Sequence, residues 1–264
     1  MMPSAIPNLA TCKKIGFIVP SSNTVVEPTC NAIISSVNAA SNAEIQVLCL
    51  YTRIRVKTVG TDSSSTSQFD TQTFITAAQL LADAECDAIL WNGTSGMWVG
   101  TGLEEDEQLA KAMQDATGVP CSTTTIATVI ALREKGYSKI SLAVPYTDAL
   151  TQKLVDFFTS CNFSVLRSKR LELTPPDNLA IGKSPPEDVE TVISRAWGDL
   201  PDSNHPDAVV VACTNWRGAE VAEKLEREMQ ATVVDSITVT VWHALRMIGW
   251  DGKVKGCGGL LEEV

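Results

Sequence analysis

The stretch DAVVVACTNWR, Asp207–Arg217, decides the fold and presents a candidate reactive group. Its apolar run Val209–Ala212 lacks polar alternation, which is typical of an interior strand of a parallel sheet covered on both faces. Cys213 therefore comes at the carboxyl end of this strand, the edge at which open α/β sheets bind their ligands. The next segment, GAEVAEKLEREM at Gly218–Met229, has helical spacing, so Cys213 is predicted to lie between a strand end and a helix start.

The same phrase occurs earlier in the chain, which predicts an internal repeat. DAILWNGTS, at Asp87–Ser95, aligns with the stretch just quoted and places Gly93 opposite Cys213 in the alignment. A second pair with similar spacing is KIGFIVPSSN at Lys14–Asn23 and KISLAVPYTD at Lys139–Asp148. Two copies of one α/β unit that face each other would put Gly93 and Cys213 on opposite walls of one cleft.

The rest of the chain alternates predicted strands and helices, which indicates parallel sheets with helices on both faces. We predict an α/β fold of two pseudo-symmetric Rossmann-like domains with the active site in the cleft between them. The predicted first domain comprises residues 1–118 and 231–264, and the second, which carries Cys213, comprises residues 119–230. The segment Val56–Gln68 is small, polar and poor in helix formers, so we predict a mobile loop over the site.

Composition and charge limit the possible function classes. The 264-residue chain has a net charge of −10, which argues against nucleic-acid and anionic-membrane binding because either needs a basic face. Its eight cysteines form no CxxC pair or Cys/His cluster, so neither a zinc site nor a disulfide scaffold is predicted. The N-terminal MMPSAIPNLATCKK lacks a secretory apolar core, and no run reaches membrane-spanning length, which predicts a soluble cytoplasmic protein.

Five separated motifs carry a resemblance to a known family. They are PSSNT at Pro20–Thr24, GTS at Gly93–Ser95, VPYTD at Val144–Asp148, DNLAIG at Asp177–Gly182 and ACTN at Ala212–Asn215. Over nearly the whole chain they resemble the Asp/Glu racemase superfamily, and within it the branch that holds maleate cis-trans isomerase and arylmalonate decarboxylase. The resemblance implies the Asp/Glu racemase fold of two pseudo-symmetric α/β domains, with an active site between them and no cofactor.

The resemblance also implies roles for individual residues. Racemases and isomerases of the superfamily carry a cysteine on each wall, whereas arylmalonate decarboxylases have glycine on the first wall, as Gly93 is here, and keep the second cysteine. Tyr146 matches a tyrosine near the substrate in both groups, and Asn23 and Asn178 resemble asparagines that hold carboxylates in maleate isomerases. The predicted catalytic residues are Cys213, Tyr146, Thr94 and Ser95, and the predicted substrate-binding residues are Pro20, Ser22, Asn23, Gly93, Asn178, Thr214 and Asn215.

Acid/base chemistry separates the reactions open to such a site. Racemisation without a cofactor removes a proton from one face and returns one on the other, so it needs two acid/base groups. With Gly93 opposite Cys213, one thiol is predicted, which is enough to protonate an enediolate after a malonate-type acid loses carbon dioxide. Thr94, Ser95 and Tyr146 would stabilise the developing charge. The expected partner is a small carboxylate or dicarboxylate substrate, without nucleic acid, membrane, metal or cofactor, and a homo-oligomer stays an option.

Two other functions stay open. Maleate-type isomerisation, or racemisation with a single cysteine, would require Cys213 to act as a thiolate, and Tyr146 is the one further proton donor that the motifs offer. A non-catalytic carboxylate-binding protein is also compatible with the missing second thiol. The polar residues have structural alternatives as well, because Thr94, Ser95 and Asn23 suit turns and helix caps.

Overall fold

The computed structural model describes residues 8–41, 45–171, 177–198 and 205–262. Its first parallel sheet consists of β1 (Lys13–Pro20), β2 (Val47–Ile54), β3 (Ala88–Trp91) and β4 (Cys121–Thr123). The second parallel sheet consists of β5 (Lys139–Val144), β6 (Ser164–Arg170), β7 (Ala208–Val211) and β8 (Thr232–Asp235). The strand orders are β2-β1-β3-β4 and β6-β5-β7-β8, so both sheets have the same topology. The first part of the N-terminal segment discussed above, residues 1–7, lies outside the described residues.

Helices connect and cover these strands. They are α1 (Val26–Ala40), α2 (Ser63–Thr66), α3 (Thr71–Ala82), α4 (Gly96–Val99), α5 (Leu103–Thr117), α6 (Thr124–Glu134), α7 (Asp148–Ser160), α8 (Asn178–Gly182), α9 (Pro186–Trp197), α10 (Gly218–Met229), α11 (Ser236–Met247) and α12 (Gly259–Glu262), with a 3-10 turn at Ser67–Phe69. In the part of the chain that the structure describes, none of them has both the length and the apolar character needed to cross a membrane.

Strand register confirms the predicted two-copy α/β fold. In the first half, Ile15 of β1 pairs with Ala88 of β3. In the second half, Ile140 of β5 pairs with Ala208 of β7. These four residues occupy equivalent positions in the sequence repeat, so the central strands of the two halves pair in the same register.

An aspartate fixes this register in the same way in both halves. The Asp87 carboxylate accepts a hydrogen bond from the backbone N–H of Lys14 at 2.8 Å. Asp207 accepts from the backbone N–H of Lys139, also at 2.8 Å. Each aspartate thus ties the start of one central strand to the start of its neighbour, which explains why the DA pair recurs in the sequence.

Two strands lie on the other side of the predicted division of the chain. β4 follows residue 118 but pairs with β3, and β8 follows residue 230 but pairs with β7. Gly118, with φ of 71°, ends α5, and the first sheet continues beyond it with β4. α11 nevertheless packs against α1 and α6 of the first half. The domain limits themselves stay a prediction.

The segment Val56–Gln68 contains more structure than its composition indicated. Asp62 caps α2 by accepting hydrogen bonds from the backbone N–H groups of Ser64 and Ser65. The Gln68 side chain accepts from the N–H of Lys57 at 2.6 Å. The prediction of a helix-poor loop was wrong for residues 63–66, because a capping carboxylate can offset the weak helix propensity of serine.

Candidate active site

The carboxyl ends of the central strands β1, β3, β5 and β7 meet around an enclosed space of about 30 Å³ between the two halves, which we call the reaction cavity. Every predicted site residue except Ser22 lines it. Five further residues line it that the sequence did not mark as ligand-binding: Val56, Val59, Phe69, Trp91 and Trp98. The predicted polar residues therefore share one space with a largely aromatic and aliphatic wall.

Cys213 is buried in this cavity as a protonated thiol. Its side chain is 2% exposed, and burial raises its pKa to about 12. Hydrogen bonds from the Tyr146 hydroxyl and the backbone of Asn215 lower this pKa, while the nearby charge of Asp235 raises it. The sulfur thus keeps its proton at neutral pH but has two donors ready to stabilise a thiolate once the proton has left.

Tyr146 connects the two walls. Its hydroxyl lies 3.2 Å from the Thr94 hydroxyl of the first wall and hydrogen-bonds the sulfur of Cys213 on the second. Its ring packs against Trp98 with 5.3 Å between centroids. Burial raises the pKa of Tyr146 well above its usual value, and the charge of a Cys213 thiolate would raise it further. Tyr146 is therefore a neutral hydrogen-bond donor, and its packing fixes where it donates.

Gly93 lines the cavity, and the Trp91 indole occupies the space that a side chain at position 93 would need. A Cβ atom built on Gly93 would lie 2.3 and 2.5 Å from two carbons of the Trp91 indole. The indole is held in place, since its Nε1–H donates to the Ser95 hydroxyl oxygen at 3.1 Å. A residue other than glycine at this position would force the indole to move.

Asn23 combines a structural role with a place in the cavity wall. Its Oδ1 caps α1 by accepting from the N–H groups of Val25 at 2.9 Å and Val26 at 3.0 Å. Its Nδ2 donates to the Thr214 hydroxyl of the other half at 3.3 Å. The cap predicted as the structural alternative is present, and it leaves the amide N–H₂ directed at the second wall.

Asn178 and Asn215 hold the two halves together at the rim. Asn215 accepts from the N–H of Thr24 at 2.9 Å and donates to the carbonyl of Asn178. Asn178 in turn donates to the Ser22 hydroxyl at 2.8 Å, which donates to the carbonyl of Val56 at 2.8 Å. Ser22 therefore lies outside the cavity wall and links the rim to the Val56–Gln68 segment.

Comparison with known proteins shows which family the chain belongs to. A protein-family model described as arylmalonate decarboxylase matches residues 15–261. The chain belongs to the arylmalonate decarboxylase family. It is accordingly an enzyme of the Asp/Glu racemase superfamily, in the branch that contains isomerases and lyases.

Relatives of this arylmalonate decarboxylase family member include both kinds of enzyme. It is 26% identical over 254 residues to a maleate isomerase of Geobacillus stearothermophilus, covering 94% of this chain and 97% of that one. It is 28% identical over 159 residues to an arylmalonate decarboxylase of Bordetella bronchiseptica, covering 59% of this chain and 63% of that one. It shares the fold of a Nocardia farcinica maleate cis-trans isomerase solved with a covalently bound succinylcysteine intermediate, with a TM-score of 0.83, 24% identity and coverage of 96% and 99%.

The residues that sequence reasoning missed are apolar. Trp91 reads as a core residue of β3, and Phe69 directly follows the Val56–Gln68 segment. That segment was predicted to lie over the site, but its Val56 and Val59 were not named as lining residues. Trp98 lines the cavity, whereas Trp216 is fully buried. The one available signal was the tryptophan two positions before Gly93, close enough along the chain to fold back over it.

Proposed function

We propose that this enzyme is a cofactor-independent decarboxylase of a malonate-type carboxylic acid with an alkyl or aryl substituent. One observation carries the proposal: the protonated thiol of Cys213 lines the same cavity as Gly93, and the Trp91 indole occupies the space that a side chain at position 93 would need. Decarboxylation needs one proton delivered to one carbon, and this arrangement offers one donor on one side.

The reaction has two steps. First, the bond between the α-carbon and one carboxylate breaks, carbon dioxide leaves, and the electron pair passes into the remaining carboxylate to give an enediolate. Second, the S–H bond of Cys213 transfers its proton to the α-carbon, which leaves a thiolate that water reprotonates. The hydrogen bonds from Tyr146 and the Asn215 backbone stabilise that thiolate while it exists.

We assign different parts of the cavity wall to the departing and the remaining carboxylate of the substrate. Val56, Val59 and Trp98 provide apolar surface, which favours loss of charge as carbon dioxide forms. The hydroxyls of Thr94 and Ser95 line the first wall, and in this proposal they donate to the carboxylate that becomes an enediolate. Each well-placed donor of this kind is worth about 3 kcal/mol.

Cis-trans isomerisation is the second candidate, because the maleate isomerase of Geobacillus stearothermophilus aligns with 94% of the chain. That route needs the thiolate of Cys213 as a nucleophile. At neutral pH, a thiol with a pKa of about 12 is ionised in roughly one molecule in 10⁵, which costs on the order of 7 kcal/mol before any reaction begins. The protonated state of Cys213 therefore favours decarboxylation.

Products distinguish the two candidates. The protein is incubated separately with methylmalonate, phenylmalonate and maleate in deuterated water, and NMR follows loss of a carboxylate, uptake of deuterium and formation of fumarate. We expect decarboxylation of a malonate, reduced about 10³-fold in Cys213→Ala. Cys161→Ala is the matched control, since Cys161 is a buried cysteine at the end of α7, outside the reaction cavity. Fumarate formation without malonate turnover would contradict the proposal, as would full activity in Cys213→Ala.

A further inference from the structure

One side-chain donor in the wall of the reaction cavity has no partner within the protein. Trp98, on α4, lines the cavity and is 5% exposed. Its Nε1–H is buried and has no hydrogen-bond acceptor among the described residues. Buried donors in folded proteins are almost always paired, so this N–H needs an acceptor that the chain itself does not supply.

The other side-chain nitrogens of the cavity wall all have acceptors within the protein. They belong to residues that each donate a hydrogen bond to a hydroxyl or carbonyl oxygen: Asn23, Trp91, Asn178 and Asn215. Within the described part of the chain, Trp98 is therefore the one side chain of the wall whose nitrogen is left for a ligand.

The Trp98 indole is held in place by the wall that carries the proposed enediolate donors. The backbone N–H of Trp98 donates to the carbonyl of Ser95 at 3.0 Å, and that of Met97 donates to the carbonyl of Thr94 at 3.0 Å. The indole packs against the Tyr146 ring, whose hydroxyl lies 3.2 Å from the Thr94 hydroxyl. The indole is thus fixed beside two of the polar groups that line the cavity.

The absence of positive charge in the wall makes each neutral donor important for an anionic ligand. The lining residues, all within the described ranges, include no lysine, arginine or histidine. A dicarboxylate has to be held there by hydrogen bonds from uncharged groups, and such bonds are stronger to a carboxylate than to a neutral acceptor. An indole N–H donates and never accepts, so it suits a carboxylate.

We propose that the Trp98 Nε1–H donates a hydrogen bond to a carboxylate of the bound substrate, beside the hydroxyls of Thr94 and Tyr146, which makes Trp98 a substrate-binding residue. This rests on the proposed function for the choice of a dicarboxylic acid as substrate. The carbon atoms of the ring remain part of the apolar surface described above, because the polar part of an indole is its N–H.

Trp216 provides an internal reference for this assignment. Its Nε1–H likewise has no acceptor among the residues that the structure describes, but the residue is fully buried and does not line the reaction cavity. A ligand in the cavity therefore reaches the indole N–H of Trp98 and not that of Trp216.

NMR of the indole N–H groups tests the contact directly. The Cys213→Ala variant, labelled with ¹⁵N in its six tryptophans, is titrated with methylmalonate, phenylmalonate or maleate at constant ionic strength. A hydrogen bond to a carboxylate deshields the donated proton, so the Trp98 signal should move downfield about three times as far as the Trp216 signal, or further. Replacement of either residue by 3-benzothienylalanine, which has sulfur in place of the indole N–H and nearly the same shape, assigns its signal by loss.

The same replacements measure what the N–H contributes to binding. In Cys213→Ala, calorimetry should show that 3-benzothienylalanine at position 98 weakens dicarboxylate binding about tenfold or more, because a hydrogen bond to a charged group is lost. Urea denaturation without ligand should show no loss of stability, because this N–H has no partner in the protein. The replacement at Trp216 is the matched control and should leave the affinity unchanged.

The outcomes separate this inference from the proposed function. A Trp98 signal that stays in place while a dicarboxylate binds would overturn the assignment, even in an enzyme that decarboxylates malonates. Equal losses of affinity for the replacements at Trp98 and Trp216 would also overturn it, since they would reflect packing. The expected shift and loss, in a parent enzyme that releases no carbon dioxide from any malonate, would support Trp98 as a carboxylate donor and overturn decarboxylation. Absence of binding by all three acids would overturn both.

Discussion

The two walls of the reaction cavity are the same structural element, and two of the side-chain differences between them concern the second thiol. Both follow a central strand in equivalent register, and both continue with threonine after the residue that faces the cavity. The first wall has Trp91 and Gly93 where the second has Val211 and Cys213. Tryptophan fills the space above a glycine, whereas valine is too short to reach a residue two positions further on. The single thiol is therefore a property of packing across two positions rather than the loss of one residue.

The largest stability effect that we expect comes from making the first wall resemble the second. Gly93→Cys places a Cβ atom 2.3 Å from the Trp91 indole, so it should destabilise the fold by about 1–3 kcal/mol through overpacking. In the Trp91→Val background the same substitution should cost at least about 1 kcal/mol less. Urea denaturation of the parent, both single variants and the double variant measures this coupling. Additive free energies of unfolding would show that the indole and residue 93 do not compete for space.

A somewhat smaller effect concerns one buried carboxyl in each half, Asp106 and Asp235. Burial raises the pKa of each to about 6. Because the folded pKa lies above the unfolded value of 3.8, their protonated forms favour folding below about pH 4, and this contribution is lost as the pH rises through 6. Each has one carboxylate oxygen without a partner, but Asp235 caps α11 through backbone N–H groups, whereas Asp106 accepts from the side chains of Thr123 and Thr125. The two halves thus use a buried acid differently.

Asp106→Asn sharpens this difference. Asparagine does not titrate, so the decrease in unfolding free energy between about pH 4 and pH 7 should shrink by about 2 kcal/mol. Urea denaturation at the two pH values gives the number, and Glu105→Gln, at the exposed neighbouring carboxylate, is the control. A pH dependence that Asp106→Asn leaves intact would mean that this carboxyl is already ionised without penalty.

The smallest effect is expected at the rim. Ser22 links Asn178 to the carbonyl of Val56 and lies outside the reaction cavity. Ser22→Ala should therefore change kcat/KM for a malonate by about fivefold or less, because loss of an ordinary neutral hydrogen bond costs about 1 kcal/mol. Ser95→Ala, inside the cavity, provides the comparison and should lose far more. A large loss in Ser22→Ala would place this hydroxyl on the substrate after all.

The repeat explains how much could be predicted from the sequence. Equivalent DA pairs start β3 and β7, so the alignment predicted the two-copy fold, a cleft shared by Gly93 and Cys213, and most of the polar wall. Such residues were found because parallel strands present their carboxyl ends at one edge. Capping by residues such as Asn23 could be named from the sequence as a structural alternative. The sequence did not show whether these capping and bridging contacts form.

The apolar half of the site could not be predicted in the same way. In the sequence, Trp91 and Phe69 cannot be distinguished from other apolar core residues. Only three-dimensional packing shows that they also border a cavity. The strands β4 and β8 lie outside the two aligned pairs of the repeat, so the alignment did not assign them to a sheet. The helix α2 was not predicted, because it consists of serines and a threonine and depends on a single N-cap residue, Asp62.

Stereochemistry tests the central claim, delivery of one proton from one side, most directly. The enzyme is given 2-methyl-2-phenylmalonate, and chiral chromatography measures the enantiomers of the 2-phenylpropanoate formed. With Cys213 as the sole donor opposite Gly93, we predict one enantiomer in large excess, with its formation abolished in Cys213→Ala. A racemic product, or undiminished formation of one enantiomer by Cys213→Ala, would contradict the account.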